Sequence, residues 1–254
     1  MNTQINKTQT GGTASQYLVK DYVATNIKAA NIFEKYGIDF CCKGYRPLMD
    51  VCNEKGIDPY KVLNEIDSLK NGEGEDNNRY GEWELDFLAK YIVNNHHEYV
   101  RTAIPQINAH LAKVCEKHGS KFPFLNDVNK NFQLIAAELY SHMEKEEKIL
   151  FPIIKYLVDS EKFNEKPRTA GYGTIKGPVA KMESEHNEAG NVLANIKLLT
   201  NNYQVPEGAC NTFKLTYDEL KEFETDLHKH IHLENNILFP KAIALEEKLL
   251  RNLA

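Results

Sequence analysis

Two stretches of this chain repeat one another, HMEKEEKILFP at 142–152 and HIHLENNILFP at 230–240. Each opens on a histidine, places a glutamate four residues later, and ends on Leu-Phe-Pro at the same offset. Each also follows a segment with a further histidine: His97 lies 45 places before His142, and His186 lies 44 before His230. The C-terminal two-thirds is thus twice a segment with one histidine followed by a segment with His-x3-Glu.

A histidine and a glutamate at i and i+4 leave one face of a helix about one turn apart, which suits them to hold one ion or bridge two. At roughly 100° per residue, Phe223, Leu227, Ile231, Ile237 and Leu238 share the face of His230 and Glu234, so these groups point inward. Enclosing His97, His142, His186, His230, Glu146 and Glu234 without compensation would be very costly. A bound metal pair removes that objection. Four imidazoles and two carboxylates suit iron or manganese better than calcium, which wants oxygen, or structural zinc, which usually takes four ligands with thiolates among them.

The remaining histidines read differently. His228 and His232 are also spaced i, i+4 but fall nearly opposite the apolar face, so they are expected in solvent. His110 and His118 have no counterpart in the other half and read as ordinary polar or core residues. Between His96 and His97, helical phase favours His96, nearer the stripe of Ile92, Val93, Val100 and Ala103, while the spacing between halves weakly favours His97. Periodicity leaves both open.

Around the repeat, four long segments carry helical period, roughly 83–118, 127–158, 177–201 and 211–250, with no alternation at period two. They predict an all-α antiparallel four-helix bundle. His118-Gly119-Ser120, Lys166-Pro167 through Gly177, and Gln204 through Gly208 separate them, and 159–176 reads as a flexible crossover. Upstream, KNGEGEDNNRYGE at 70–82 has no apolar period, so the expected organisation is a small helical domain at 1–70, a linker at 71–82 and the bundle at 83–254. In the small domain 21–36 reads as one helix ending at Gly37, followed by short helices near 46–55 and 59–69.

Hydrophobic residues at 42% and charged residues at 26% are globular values. A formal charge of -5 without a Lys/Arg stripe argues against nucleic acid as a partner. The first twenty residues lack the apolar core of an export signal, and no run approaches the roughly eighteen apolar residues of a membrane span. Five cysteines, two of them adjacent, form no disulfide framework, so a reducing cytoplasm is the expected compartment. Cys41 and Cys42 sit in a turn after a helix, where a thiolate is accessible to chemistry. Cys52, Cys115 and Cys210 read as small core residues.

With these motifs in order, the chain resembles the Repair of Iron Centres proteins, hemerythrin-like di-iron proteins that restore iron–sulfur clusters after oxidative or nitrosative damage. The likeness rests on Asp39-Phe40-Cys41-Cys42, on His97-x-x-Val100-Arg101-x-x-Ile104-Pro105, and on Ser141-His142-x3-Glu146-x4-Leu150-Phe151-Pro152. It continues through Glu183-Ser184-Glu185-His186-x-Glu188-Ala189-Gly190 to His230-x3-Glu234-Asn235-Asn236-x-Leu238-Phe239-Pro240. It implies His97 rather than His96 as the ligand, and two iron ions bridged by oxo and carboxylate groups. It also implies a redox or transfer role for Cys41 and Cys42, though Lys43 stands where a glycine is usual. Glu138 and Glu185 become candidates for support of the ligands or for an iron path. The implied function is iron donation rather than a dedicated enzyme, with nitric oxide reduction at the di-iron centre a further activity proposed for the family. Clients would be iron–sulfur proteins or their assembly machinery, and the expected assembly is a homodimer. A carrier or sensor of dioxygen, nitric oxide or iron would use the same bundle, but would have no need of the Cys-Cys module.

Overall fold

The computed structural model describes residues 17–69, 80–167 and 173–252. Among these residues every regular element is helical, apart from an isolated bridge between Leu18 and Pro47. The chain divides into two compact units, Met1–Gly81 and Glu82–Ala254. Most of the expected linker, 71–79, lies outside the described residues, and Tyr80–Glu82 form a single 3-10 turn.

The first unit contains α1 (Val19–Thr25), α2 (Ala29–Lys35), α3 (Leu48–Lys55) and α4 (Pro59–Leu69). The single helix expected over 21–36 is broken in two. At Asn26 the backbone turns extended, and its side-chain oxygen accepts the Lys28 N–H at 3.0 Å. An asparagine that satisfies the backbone this way competes with continuation of the helix. The stop at Gly37 has the expected form: with φ at +60°, its N–H reaches the Glu34 carbonyl while the Ile38 N–H reaches that of Phe33. Phe33, stacked on Phe40 and met edge-on by Tyr22, anchors a core that includes Val19, Val23, Leu48 and Val62.

The second unit is built from four rods. The first runs from α5 (Leu85–Ile92) through a π-helical turn, Val93–His97, into α6 (Glu98–His118). The second joins α7 (Phe124–Lys145) through the π turn Glu146–Leu150 to α8 (Phe151–Lys162). The third is the uninterrupted α9 (Lys176–Leu199), and the fourth joins α10 (Asn211–Leu233) through Glu234–Leu238 to α11 (Phe239–Asn252). The helix of the second rod thus runs past the expected start of the crossover at 159, and of that crossover 168–172 lie outside the described residues. Helix α6 packs on α7 and α10, and α7 on α9. Phe132, Phe213, Phe223 and Phe239 fill the interior with Leu88, Ile107 and Leu111. The buried Glu246 of α11 accepts the Ile175 N–H at 3.0 Å and the Thr174 hydroxyl, filling the place of a capping side chain where α9 starts.

The π turns have a local cause in two of the three rods. In an α-turn the ring of Pro152 or Pro240 would collide with the carbonyl four residues back and offer no N–H to it. A wider turn relieves that conflict, and the N–H groups of Phe151 and Phe239 bond five residues back to Glu146 and Glu234.

Candidate metal centre

Three of the four rods change pitch where the chemistry-bearing residues stand. One extra residue in a turn shifts the helical phase by about 100°. In the first rod this shift falls on Val93–His97, with the Glu98 N–H bonded five back to Val93. It carries His97, rather than His96, to the centre of the bundle. His97 Nε2 lies 3.2 Å from His230 Nε2, while His96 stays at the margin and donates from Nδ1 to Asp226 at 2.9 Å.

His97, His142, Glu146, His186, His230 and Glu234 come together, none more than 2% exposed. They form two overlapping quartets, His97–Glu146–His230–Glu234 and His142–Glu146–His186–Glu234, with donor atoms within 4.8 Å of one another in each. Both glutamates are shared. Glu146 Oε2 lies 3.3 Å from His97 Nε2 and 3.4 Å from His142 Nε2. Glu234 Oε1 lies 3.0 Å from His230 Nε2, and its Oε2 3.2 Å from His186 Nε2. The His142 and His186 Nε2 atoms face each other at 2.9 Å.

The arrangement fits a pair of cations. Neither Glu146 oxygen, nor Glu234 Oε2, accepts a well-formed hydrogen bond, although all three are enclosed. The neighbouring imidazole nitrogens are within ion-pair reach but off hydrogen-bond geometry. Electrostatics show what protons alone must do there. Burial opposes charge on His142, yet Glu146 outweighs it, with Glu234 and Glu185 adding, and pushes its pKa up to about 9. Burial likewise works against the Glu234 carboxylate, but His230 and His186 hold it well below the usual range. A metal ion competes with those protons for the same lone pairs.

Around this cluster the repeat continues in the supporting contacts. His97 donates from Nδ1 to Glu147 at 2.6 Å, and Glu147 is itself held by Arg101. His186 donates from Nδ1 to Asn235 at 2.8 Å. Glu147 and Asn235 each directly follow a shared glutamate. The residue before each lone histidine serves the opposite rod: Glu185 accepts from His142 Nδ1 at 2.8 Å, and the His96 ring stacks on that of His230. Phe151 lies nearly parallel to His97, and Phe239 to His186, which gives the Leu-Phe-Pro motif its aromatic role. A hydrogen bond at Nδ1 fixes the tautomer and leaves Nε2 with its lone pair toward the cluster.

Glu185 is tied to Lys145 and, at 3.3 Å, to Lys181, and its carboxyl is held down to about 2: burial opposes this, and Lys145 and His142 overcome it. Glu138 is exposed. With Ser141, Lys145, Lys181, Glu185 and Glu188 it lines a cleft of about 150 Å³ that reaches His142 and His186. Glu147, Asn235 and the His96–Asp226 pair were missed in the sequence. The signal for Glu147 and Asn235 was present, since both occupy the same place in the repeat. Removing the Nδ1 acceptor in Glu147→Ala is expected to weaken iron binding about 10–100-fold while the helical circular dichroism spectrum stays unchanged, measured by competition with a chelator.

Two expectations are corrected. His232 is fully buried rather than solvated, and accepts a hydrogen bond from Asn236 at 3.1 Å. Ile231, His232, Leu233 and Glu234 are buried in succession, so the helix is enclosed all round at this level and one apolar stripe no longer marks its inside. His228 is half-buried. Cys115 and Cys210 are half-exposed rather than core residues, whereas Cys52 is fully buried. His110 bonds to Glu219 at 2.8 Å, and His118 is buried with Cys210 as its neighbour.

In the first unit, Asp39 Oδ1 gathers the N–H groups of Cys41, Cys42 and Lys43 at 3.1, 2.9 and 3.3 Å. The Cys41 and Cys42 sulfurs are 3.8 Å apart, Cys41 buried and Cys42 half-exposed. The contact with Cys42, then burial, raise the Cys41 thiol well above its ordinary value.

Residues 89–242 match the Hemerythrin HHE cation binding domain, and residues 15–70 match a Domain of Unknown function (DUF542). The iron-sulfur cluster repair proteins YtfE of Yersinia pestis (strain Pestoides F) and Yersinia pseudotuberculosis serotype O:1b (strain IP 31758) are each 34% identical over 216 residues, covering 85% of this chain and 91% of theirs. No helix among the described residues is long and apolar enough to cross a membrane. A cation-binding bundle behind a module of the matching type, aligned over nearly the full length of those relatives, places the chain in the family of hemerythrin-domain iron–sulfur cluster repair proteins.

Proposed function

We propose that this protein repairs iron–sulfur clusters by holding two iron ions in the bundle and giving iron up to damaged clients. The observation that carries the reading is the pair of overlapping quartets with two shared glutamates. His97 and His230 would hold one ion, His142 and His186 the other, and Glu146 and Glu234 would span both. When bound, the pair supplies transferable iron and a redox couple able to act on dioxygen or nitric oxide. Six protein groups for two ions leave few ligands per metal, and protonation of a carboxylate weakens its hold, which favours release.

The cleft at His142 and His186 gives that end of the site a route outward. Its carboxylates, Glu138, Glu185 and Glu188, are hard oxygen donors suited to an iron ion in passage. Glu185 joins this route to the ligand shell through His142, and Lys145 and Lys181 keep it ionised. In the first unit half-exposed Cys42 would supply the thiol that meets an iron–sulfur client, with the buried Cys41 sulfur 3.8 Å behind it as its exchange partner.

The test is anaerobic incubation of the iron-loaded chain with an iron–sulfur enzyme inactivated by nitric oxide or peroxide, with a ferrous chelator present to trap free iron. Recovery of enzyme activity and cluster absorbance is expected with the wild-type chain, and none with Glu146→Ala, Glu234→Ala. Equal recovery with that variant would sink the proposal.

A further inference from the structure

At the other end of the bundle stands a second pair of chemistry-bearing residues. His118 closes α6 and Cys210 precedes the first turn of α10, and the two meet with Nε2 3.2 Å from Sγ. At 1.5 Å per residue, the 21 residues of α6 and 23 of α10 put this pair about 30 Å from the iron-binding cluster. His118 is about nine-tenths buried, with Phe213 edge-on to its ring and Phe122 beside it, so its nitrogen is aimed rather than free to rotate. Cys210 remains half-exposed.

The surroundings favour a thiolate. Cys210 makes no formal capping hydrogen bond, yet it occupies the position where the N–H groups of Phe213 and Thr212 act on its sulfur, at the positive end of a long helix. The His118 contact, then these amides, lower its thiol to about 7 against the cost of desolvation. Burial instead raises Cys52 and Cys115. Lys121, from the turn after α6, reaches the loop before Cys210, its Nζ 3.2 Å from where a Cβ would stand on Gly208. Glu207 on the same loop is exposed.

We propose that Cys210 is a nucleophilic thiol, activated by His118, that exchanges with small disulfides and becomes S-thiolated. The Cys210 sulfur attacks one sulfur of the disulfide, forming a new S–S bond as the old one breaks. The departing thiolate takes a proton from the His118 imidazolium. Cys210 is oxidised and the departing sulfur reduced, so the disulfide is the only oxidant required. The site is independent of the cluster-repair reading.

The experiment treats the full-length, metal-loaded protein with oxidised glutathione from pH 5.5 to 9.5 and follows the mixed disulfide at Cys210 by peptide mass mapping. In the wild type the rate should rise through a midpoint near pH 7; in His118→Gln, where the Phe213 and Thr212 amides remain, the midpoint should move up toward the free-thiol value of about 8.5. A thiolate gains nucleophilicity as its pKa rises, so the variant should be slower at pH 7, by up to about threefold, and faster at pH 9.5, by up to about fourfold. That crossing of the two profiles is not what loosened packing produces, since loosening would shift the rate in one direction at every pH. A wild-type midpoint at the free-thiol value, or an unmoved midpoint in the variant, would overturn the proposal. The wild-type profile decides the matter alone if the variant does not fold.

Discussion

Glu146→Ala is expected to strip the bundle of both iron ions, taking the content from about two per chain to near zero, whereas His186→Ala should leave about one. The asymmetry follows from sharing: Glu146 belongs to both quartets and His186 to one. Removing Glu146 also takes a partner from buried His142 and His97, which hold its carboxyl below the ordinary value against burial and Glu234, so the metal-free variant is expected to be less stable and its fold is read alongside its iron. Iron analysis beside circular dichroism makes the check. Equal iron loss in the two variants would mean that the quartets do not bind separately, and iron retained in Glu146→Ala would refute the shared-ligand arrangement.

The second large effect is expected from Phe33→Ala. Phe33 is fully buried between Phe40 and Tyr22, and truncating such a ring costs about 3–5 kcal/mol. A unit of this size rarely holds more than that in reserve. The first unit should therefore lose its protection in limited proteolysis while the bundle keeps its iron and its melting temperature. If the Cys-Cys module takes part in repair, cluster restoration should fall with it. A variant that repairs normally with residues 17–69 unfolded would assign repair to the bundle alone and remove the Cys-Cys module from it.

The four rods and the inward faces of the His-x3-Glu segments could be read from the chain because apolar period and motif spacing are local properties. Three things could not. The turn that brings His97 inward is π-helical, so a phase computed at constant pitch pointed to His96. The burial of His232 depends on neighbours enclosing α10 on every side. The break at Asn26 lies in a side-chain hydrogen bond that apolar spacing does not register. The acceptors at Nδ1 are a different case, since Glu147 and Asn235 occupy equivalent places in the repeat and a comparison of the halves beyond the glutamates would have found them.

The quartets also cross the repeat: each takes one histidine from each half of the bundle. With iron bound, each ion would therefore act as a clasp on the chain, joining positions 133 residues apart through His97 and His230 and 44 apart through His142 and His186. Loop-closure entropy grows with the logarithm of length, so the longer clasp restricts the unfolded chain by about 1 kcal/mol more than the shorter one. The two ions would then be unequal in what their departure costs. Iron leaving from His142 and His186, where the cleft opens, would release the smaller loop and keep the two halves tied by the larger.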